Sequence, residues 1–122
     1  MSRVFLNPPH PAYMHDDNAK SQWFDRDKAT PYEEETRHDG NNFISVATGS
    51  QWEHEKLYKT ASENWVFHSW SQWQSGNREV YELIPFADAV KWLVKNGHDL
   101  GDIGLTAALL AEANELISGL EV

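Results

Sequence analysis

The chain has 122 residues, no cysteine, and 19 acidic side chains against 10 Lys and Arg, which gives a formal net charge of −9. This length fits one domain with a single hydrophobic core. The absence of cysteine excludes disulfides, thiol nucleophiles and thiolate zinc sites. Because nucleic-acid binding depends on neutralising phosphates with Lys and Arg, the charge argues against direct binding to nucleic acid. It suits ordinary acidic solubility, with docking onto a basic protein surface as the alternative.

Signals for membrane insertion or export are not found in the sequence. No apolar run approaches the roughly 20 residues that cross a bilayer. The first residues, MSRVFLNPPHP, hold one Arg and a short apolar patch before prolines, which is not the pattern of a signal peptide. We therefore expect a cytoplasmic protein that has no membrane partner.

An extended, proline-rich arm over residues 1–20 is predicted to precede a single domain over residues 21–122. Three of the five prolines lie between residues 8 and 11, and proline fits neither a helix interior nor a central strand. The alternation over Val4–Leu6 predicts a short edge strand within this arm.

The stretch after the arm is predicted to form a buried anchor, a short helix and a turn. Trp23 and Phe24 supply the apolar anchor. Asp25 is suited to cap the helix, with further acids in its first turn. Pro31 either disturbs this helix or restarts it at its first turn, where proline is tolerated. The motif DGNN at residues 39–42 is typical of a turn.

The rest of the chain is predicted to hold four strands and two helices. Aromatic, β-branched and alternating apolar residues predict strands over 43–48, 53–60, 64–73 and 80–84, with a hairpin loop over 61–64. One helix is expected to start after Pro85 and to stop at Asn96-Gly97, and a last helix to run from about residue 103 to residue 117. Apolar residues on both faces of the third strand indicate a central strand that is covered on both sides, or an exposed aromatic patch on one side. The result is an α+β fold, in which two C-terminal helices pack on a small antiparallel sheet of about four strands.

Six histidines raise the question of a metal or catalytic site. No two of them are spaced to share a helical face, and Glu53, His54 and Glu55 alternate between the faces of a strand. We therefore predict no metal and no cofactor. Neither a G-x-S-x-G elbow nor a Gly-rich phosphate loop occurs, so no catalytic residue is predicted. The alternative is a small hydrolase or metal-dependent enzyme that uses His54, His68 or His98.

An acidic face is predicted to be the partner-binding surface. The run Glu33-Glu34-Glu35 is the densest charge cluster in the chain. Most such runs are the solvated side of an element, but an acidic surface can also imitate a phosphate backbone and occupy a basic groove. An exposed indole from the third predicted strand would anchor the same partner, with burial in the core as the alternative. The predicted partner-binding residues are Asp25, Asp27, Glu33, Glu34, Glu35, Asp39, Trp70 and Trp73.

Five motifs stand out along the chain, WFDRDKAT, DGNN, EKLYKTASENWVFHSWSQW, YELIP and AVKWLVKN. They resemble those of small uncharacterised accessory proteins of bacteria, phages and plasmids, which share a hairpin of the type E-x-L-Y-x-T-x-x-G-x-W closed by an A-x-x-W-L helix. The resemblance covers about residues 23–98, with Glu63 where a turn glycine is usual. The shared positions are mostly structural, so no catalytic residue carries over. The resemblance implies an accessory or mobile-element gene.

These features together predict a non-enzymatic acidic protein-binding module that recognises a protein with a basic surface. The specific form predicted is a phage or mobile-element inhibitor of a host defence complex that binds nucleic acid, such as an anti-CRISPR protein. The alternatives are the enzyme described above and a homodimeric structural module. In that homodimer, the last helix would pair with its twin through Leu105, Leu109 and Leu116.

Overall fold

The structure is a computed structural model that describes residues 2–7, 22–38, 40–50, 52–71 and 79–122. That part of the chain holds eight β-strands and two α-helices. The strands are β1 (Arg3–Phe5), β2 (Trp23–Asp25), β3 (Thr30–Glu33), β4 (Thr36–His38), β5 (Phe43–Ser45), β6 (Glu53–Lys59), β7 (Trp65–Ser71) and β8 (Val80–Ile84). The helices are α1 (Phe86–Lys95) and α2 (Ala107–Ser118), with one 3₁₀ turn at Leu100–Asp102 between them.

Four antiparallel strands in the order β3–β6–β7–β8 form the main sheet. β6 and β7 form its central hairpin, in which Glu53 faces Ser71 at the open end and Lys59 faces Trp65 at the closed end. The loop that closes the hairpin contains Glu63, whose φ of 64° is in the left-handed region that favours glycine. The predicted hairpin is therefore confirmed, and it supplies the frame on which the candidate site is built.

Both α-helices pack on one face of the main sheet. Leu57 and Trp65 from the sheet share a core with Val90 and Leu93 from α1. Leu57, Val90 and Leu93 have no exposed surface. Burying a side chain of this kind contributes about 1.5–3 kcal/mol, so this layer holds the helices in place.

The helix boundaries follow local signals. α1 begins after Pro85 and ends before Gly97, which adopts a φ of 79°, as predicted. α2 begins later than predicted, because Gly104 also adopts a positive φ, of 75°, which interrupts the helical backbone conformation there. The helix then starts with Thr106 as its N-cap, whose Oγ1 accepts a hydrogen bond from the backbone N of Leu109 at 3.2 Å.

The opposite face of the main sheet is covered by the paired strands β1 and β2. Leu6 and Phe24 pack there against Tyr58 and Tyr81. The backbone N of Asn7 donates to the carbonyl of Tyr81 at 2.7 Å, and Oδ1 of Asn7 accepts from the backbone N of Tyr81 at 2.6 Å. The central strand β7 is thus covered on both sides, as predicted, and the predicted edge strand near the N-terminus is present as β1.

The prediction of a short helix after Phe24 is wrong. Trp23–Asp25 pairs with β1 and Thr30–Glu33 pairs with β6, so long-range pairing outweighs the local capping signals. Pro31 is compatible with β3 because β3 is an edge strand of the main sheet. Proline lacks a backbone N–H, and at an edge strand this removes no hydrogen bond between inner strands. Trp23 is 44% exposed and Phe24 is 5% exposed, so only half of the predicted anchor is buried.

A short separate hairpin, made of β4 and β5, lies between β3 and β6 in the chain. β4 was not predicted, and the strand predicted over residues 43–48 ends at Ser45. It ends there because the chain turns over the next residues, where the backbone N of Gly49 donates to the carbonyl of Ser45 at 2.8 Å. The turn returns the chain towards the start of β6.

The α+β class is confirmed, since a four-stranded antiparallel sheet carries two C-terminal helices. Asp39, Trp73 and residues 8–20 of the predicted arm lie outside the described residues. Within the described ranges, neither helix has the length and apolar character needed to span a membrane.

Candidate functional site

A cleft of about 270 Å³ opens at the end of the β6–β7 hairpin that is opposite its loop. Its lining residues, which define the hairpin cleft, are Thr48, Glu53, His54, Glu55, Ser69, Trp70 and Ser71. The turn after β5 forms one wall, since Oγ1 of Thr48 donates to the backbone carbonyl of Glu53 at 2.7 Å. Successive residues of a strand point to opposite faces, so Glu53 and Glu55 lie on the helix side of the sheet and His54 on the other. The hairpin cleft therefore has carboxylate and hydroxyl groups on the helix side, and the rings of His54 and Trp70 on the other side.

Next to the hairpin cleft, Glu34 is a buried carboxylate that accepts three hydrogen bonds. Its side chain is 8% exposed. Oε2 accepts from Oγ of Ser45 at 2.6 Å and from the backbone N of Glu55 at 2.8 Å. Oε1 lies 2.6 Å from Nδ1 of His54. One side chain after β3 therefore holds β5 and β6 together at the cleft wall.

His54 is oriented by this carboxylate. Because a carboxylate only accepts hydrogen bonds, Nδ1 of His54 carries the proton that it shares with Glu34. Nε2 is buried and has no hydrogen-bond partner among the described residues. Ser45 donates its hydrogen bond to Glu34 and not to His54. These side chains therefore do not have the nucleophile–base–carboxylate order of an acyl-transfer triad. The arrangement fixes the position of the imidazole without presenting a nucleophile to it.

Four rings form a row across the sheet, starting at His54. The ring centroids of His54 and Trp70 are 5.5 Å apart, those of Trp70 and His68 are 4.5 Å apart, and those of His68 and Tyr81 are 4.0 Å apart. The His68 and Tyr81 rings are nearly parallel, at 9°. The row spans three strands because His54 faces Trp70, and His68 faces Tyr81, in the sheet register. Trp70 is thus a packed member of this ring row.

His68 lies buried in the ring row without a hydrogen bond from the described residues. It is 7% exposed, and neither ring nitrogen has a hydrogen-bond partner in the part of the chain that the structure describes. Burial lowers the pKa of His68, because the charged ring would lose its hydration, and the carboxylate of Glu79 acts in the opposite direction without cancelling this effect. The neutral form is therefore the one that stacks on Tyr81 at neutral pH.

The two carboxylates of the hairpin cleft differ in how they are held. Oε1 of Glu55 accepts from Nε1 of Trp92 on α1 at 2.9 Å, so the helix fixes this group. Glu53 is exposed at the rim. Carboxylates and hydroxyls accept hydrogen bonds from ammonium and guanidinium groups. The chemistry of the cleft therefore matches a basic side chain.

The acidic run Glu33-Glu34-Glu35 is divided among three environments. Glu33 is exposed and pairs with Nζ of Lys56 at 3.0 Å. Glu34 is buried beside the hairpin cleft. Glu35 is exposed, and its carboxylate lies close to Gly97 at the end of α1, where a Cβ atom would be 3.5 Å from it. Two of these three predicted site residues therefore present their charge to solvent.

Asp25 is the last residue of β2, which pairs with β1, and Asp27 lies in the turn that follows. Oδ1 of half-buried Asp25 accepts from the backbone N of Ser2 and from the backbone N of Asp27, both at 3.1 Å. Burial acts to raise the pKa of Asp25, but these hydrogen bonds and the nearby positive charge of Lys28 act in the other direction, and the pKa is lowered. Asp25 therefore fixes the start of the folded chain, whereas Asp27 is exposed.

The predicted aromatic anchors are placed differently from one another. Trp70 is half-buried in the ring row, and Trp73 lies outside the described residues. The exposed indoles in the described ranges are Trp23, at 44%, and Trp52, at 41%. Trp52 was missed by the sequence analysis, and the available signal was its position directly before the strand that carries the cleft carboxylates.

His98, the third histidine of the enzyme alternative, has structural contacts. Its Nε2 lies 2.7 Å from the carbonyl oxygen of Glu33, and its ring packs against Tyr32 and Trp92. Across the described ranges, no group of three or more His, Asp or Glu side chains is arranged to hold a metal ion.

Comparison of the chain with protein-family models, with curated proteins and with solved structures gave no match. The resemblance described for the sequence motifs thus stays a prediction. The chemistry of the hairpin cleft and of the surrounding surface is what supports a function.

Proposed function

We propose that this protein is a non-enzymatic, acidic protein-binding module whose hairpin cleft takes a basic side chain of its partner. The observation that carries the proposal is the placement of Glu53 and Glu55 beside the hydroxyl groups of Ser71 and Ser69, which face them in the sheet register, in a cleft of about 270 Å³. An arginine or lysine side chain has the complementary donors.

The rigidity of the cleft supports this role. Glu55 is fixed through Trp92, and the opposite wall is fixed through the three hydrogen bonds of Glu34. A site that is already ordered loses less conformational entropy when a partner binds. The groups that would contact the basic side chain therefore need little rearrangement.

The surface next to the cleft supports a protein rather than a small molecule as the ligand. Trp52 is 41% exposed and directly precedes Glu53 at the cleft rim. Tryptophan is enriched among the residues that dominate binding at protein interfaces. The net charge of −9 would speed encounter with a basic surface and repel an acidic one.

The specific form of the proposal is that the partner is a nucleic-acid-binding protein of a host defence complex, whose basic groove this chain occupies. Two features support it. The charge of −9 is that of a phosphate mimic, and the sequence motifs resemble phage and plasmid accessory proteins. A phage or mobile-element inhibitor has both properties.

The first test measures binding of an arginine-rich peptide by calorimetry at low and at moderate salt. The variant Glu53→Gln/Glu55→Gln removes both cleft charges, while glutamine at residue 55 keeps an acceptor for Trp92. The matched control is Glu63→Gln/Glu82→Gln, which removes the same charge from two exposed positions, one of them in the loop at the other end of the hairpin. We expect the cleft variant to lose about tenfold in affinity, or about 1.4 kcal/mol, and the control to lose much less.

Equal losses in the two variants would mean that the peptide responds to overall charge, and the cleft would then not be the binding site. A second double variant, Glu33→Lys/Glu35→Lys, tests the acidic surface and leaves Glu34 in place. Reversing Glu34 as well would break a buried network and confuse a loss of binding with a loss of folding.

The inhibitor form is tested by capture of the partner from a host lysate, with and without the cleft charges. A basic nucleic-acid-binding protein that is released by salt and displaced by DNA or RNA would support it. A captured protein that holds this chain and nucleic acid at the same time would contradict occupation of the groove.

A further inference from the structure

On the outer side of the helical layer, α1 and the end of α2 enclose an apolar groove. Two adjoining cavities of about 360 Å³ and about 460 Å³ make up this helix groove, and both are lined by Lys91 and Leu120. Val94 is 39% exposed and Leu120 is 53% exposed, although both are large apolar side chains. Leu116 and Ile117 are half-buried in its floor. The groove is therefore apolar in its centre.

The charges on the two walls of the helix groove have opposite signs. The wall from α1 carries Lys91 and Lys95, and the wall from the end of α2 carries Glu112, Glu115 and Glu121. All five side chains are exposed. None of them takes part in an ion pair within the ranges that the structure describes. The two walls thus present unpaired charge to whatever covers the groove.

We infer that a second copy of this chain covers the helix groove, related to the first by a two-fold axis. In such a contact the same patch meets itself, and an axis that runs along the groove places the lysine wall of one copy opposite the glutamate wall of the other. Val94, Leu116 and Leu120 of both copies then form the apolar centre of the interface.

A second copy fits this groove better than the basic partner proposed for the hairpin cleft. A basic surface would be attracted by the α2 wall but repelled by Lys91 and Lys95. A second copy offers both signs in the required order. Of the leucines predicted for a homodimer, Leu116 lies in this groove, whereas Leu105 packs against the core of its own chain.

The test reverses the charge of one wall of the helix groove at a time and measures the dimer dissociation constant by sedimentation equilibrium over a wide range of concentrations. One variant is Lys91→Glu/Lys95→Glu, which makes both walls acidic, and the other is Glu112→Lys/Glu115→Lys, which makes both walls basic. Each alone should raise the dimer dissociation constant by more than about tenfold, because like charges then meet at both ends of the contact. An equal mixture of the two should form a heterodimer, since an acidic patch then meets a basic one.

The apolar centre is tested with two exposed leucines. Leu120→Asp places a charge in the helix groove and should abolish the dimer, whereas Leu83→Asp places it on β8 and should leave the dimer intact. A wild-type protein that stays monomeric at the highest concentration would overturn the inference. So would a dimer that none of the groove variants weakens, or a variant mixture that stays monomeric. None of these readouts depends on binding at the hairpin cleft.

Discussion

Replacing Glu34 with alanine removes the acceptor of three hydrogen bonds at once. The donors left behind are Oγ of Ser45, the backbone N of Glu55 and Nδ1 of His54. Ser45 is 0% exposed and the side chain of His54 is 16% exposed, so water reaches these groups poorly. Each hydrogen bond to a charged group contributes about 1.5 kcal/mol or more, which gives about 4–5 kcal/mol for the three bonds. Partial rehydration of His54 reduces this sum, and we expect a loss of about 3 kcal/mol.

The assay is urea unfolding at neutral pH, followed by circular dichroism and compared at equal m values. Glu33→Ala is the matched control, because the neighbouring carboxylate is 70% exposed and its ion pair with Lys56 should contribute less than about 1 kcal/mol. Glu34→Gln keeps an acceptor oxygen for part of the network and should lose about half as much as Glu34→Ala. A loss for Glu34→Ala that is no larger than that of Glu33→Ala would refute the reasoning.

Three further predictions concern the core, the hairpin loop and the ring row. Leu57→Ala should cost about 2–5 kcal/mol in unfolding free energy, because Leu57 is 0% exposed, whereas Leu83→Ala, at 45% exposed, should cost much less. Glu63→Gly should stabilise the protein by up to about 1 kcal/mol in the same assay, since glycine adopts the φ of 64° without strain; a loss of stability would contradict this. Because burial lowers the pKa of His68, the folded state binds its proton less readily than the unfolded state. The stability linked to His68 is therefore present above the unfolded pKa near 6.5 and is lost as pH falls towards the lower folded pKa. His68→Phe should show a smaller drop in urea midpoint between neutral and mildly acidic pH than the wild type; an equal drop would show that other groups are responsible.

Elements with local signals at both ends were predictable from the sequence. β8 was predicted with its observed bounds, because Pro85 ends the strand and opens α1, and α1 was predicted to stop at Asn96-Gly97. The hairpin was recognisable from its alternation, and the unusual Glu63 in its loop corresponds to a residue with positive φ. In these cases the determining interactions lie within a few residues.

Elements set by distant partners were not predictable in the same way. Residues 23–33 carry local signals for a helix, yet they pair with β1 and β6. Glu34 lies in a run of three similar residues, and only its contacts with Ser45, His54 and Glu55, 11 to 21 residues later, separate it from its neighbours. The hairpin cleft likewise depends on Trp92 of α1 reaching Glu55, which no spacing in the sequence indicates.

Leu6 and Asn7 contact Tyr81 at the end of the ring row, and this has a consequence for the order of folding. The register of β6 and β7 is local, but Asn7 must reach Tyr81, 74 residues away, before Leu6 can cover the sheet. Contacts of such long separation form late, because closing a long loop costs entropy before the contact is gained. During synthesis, Leu6 therefore cannot pack against Tyr81 until β8 has emerged from the ribosome. Pulse-labelled hydrogen exchange during refolding should show amides of β6 and β7 protected before that of Asn7.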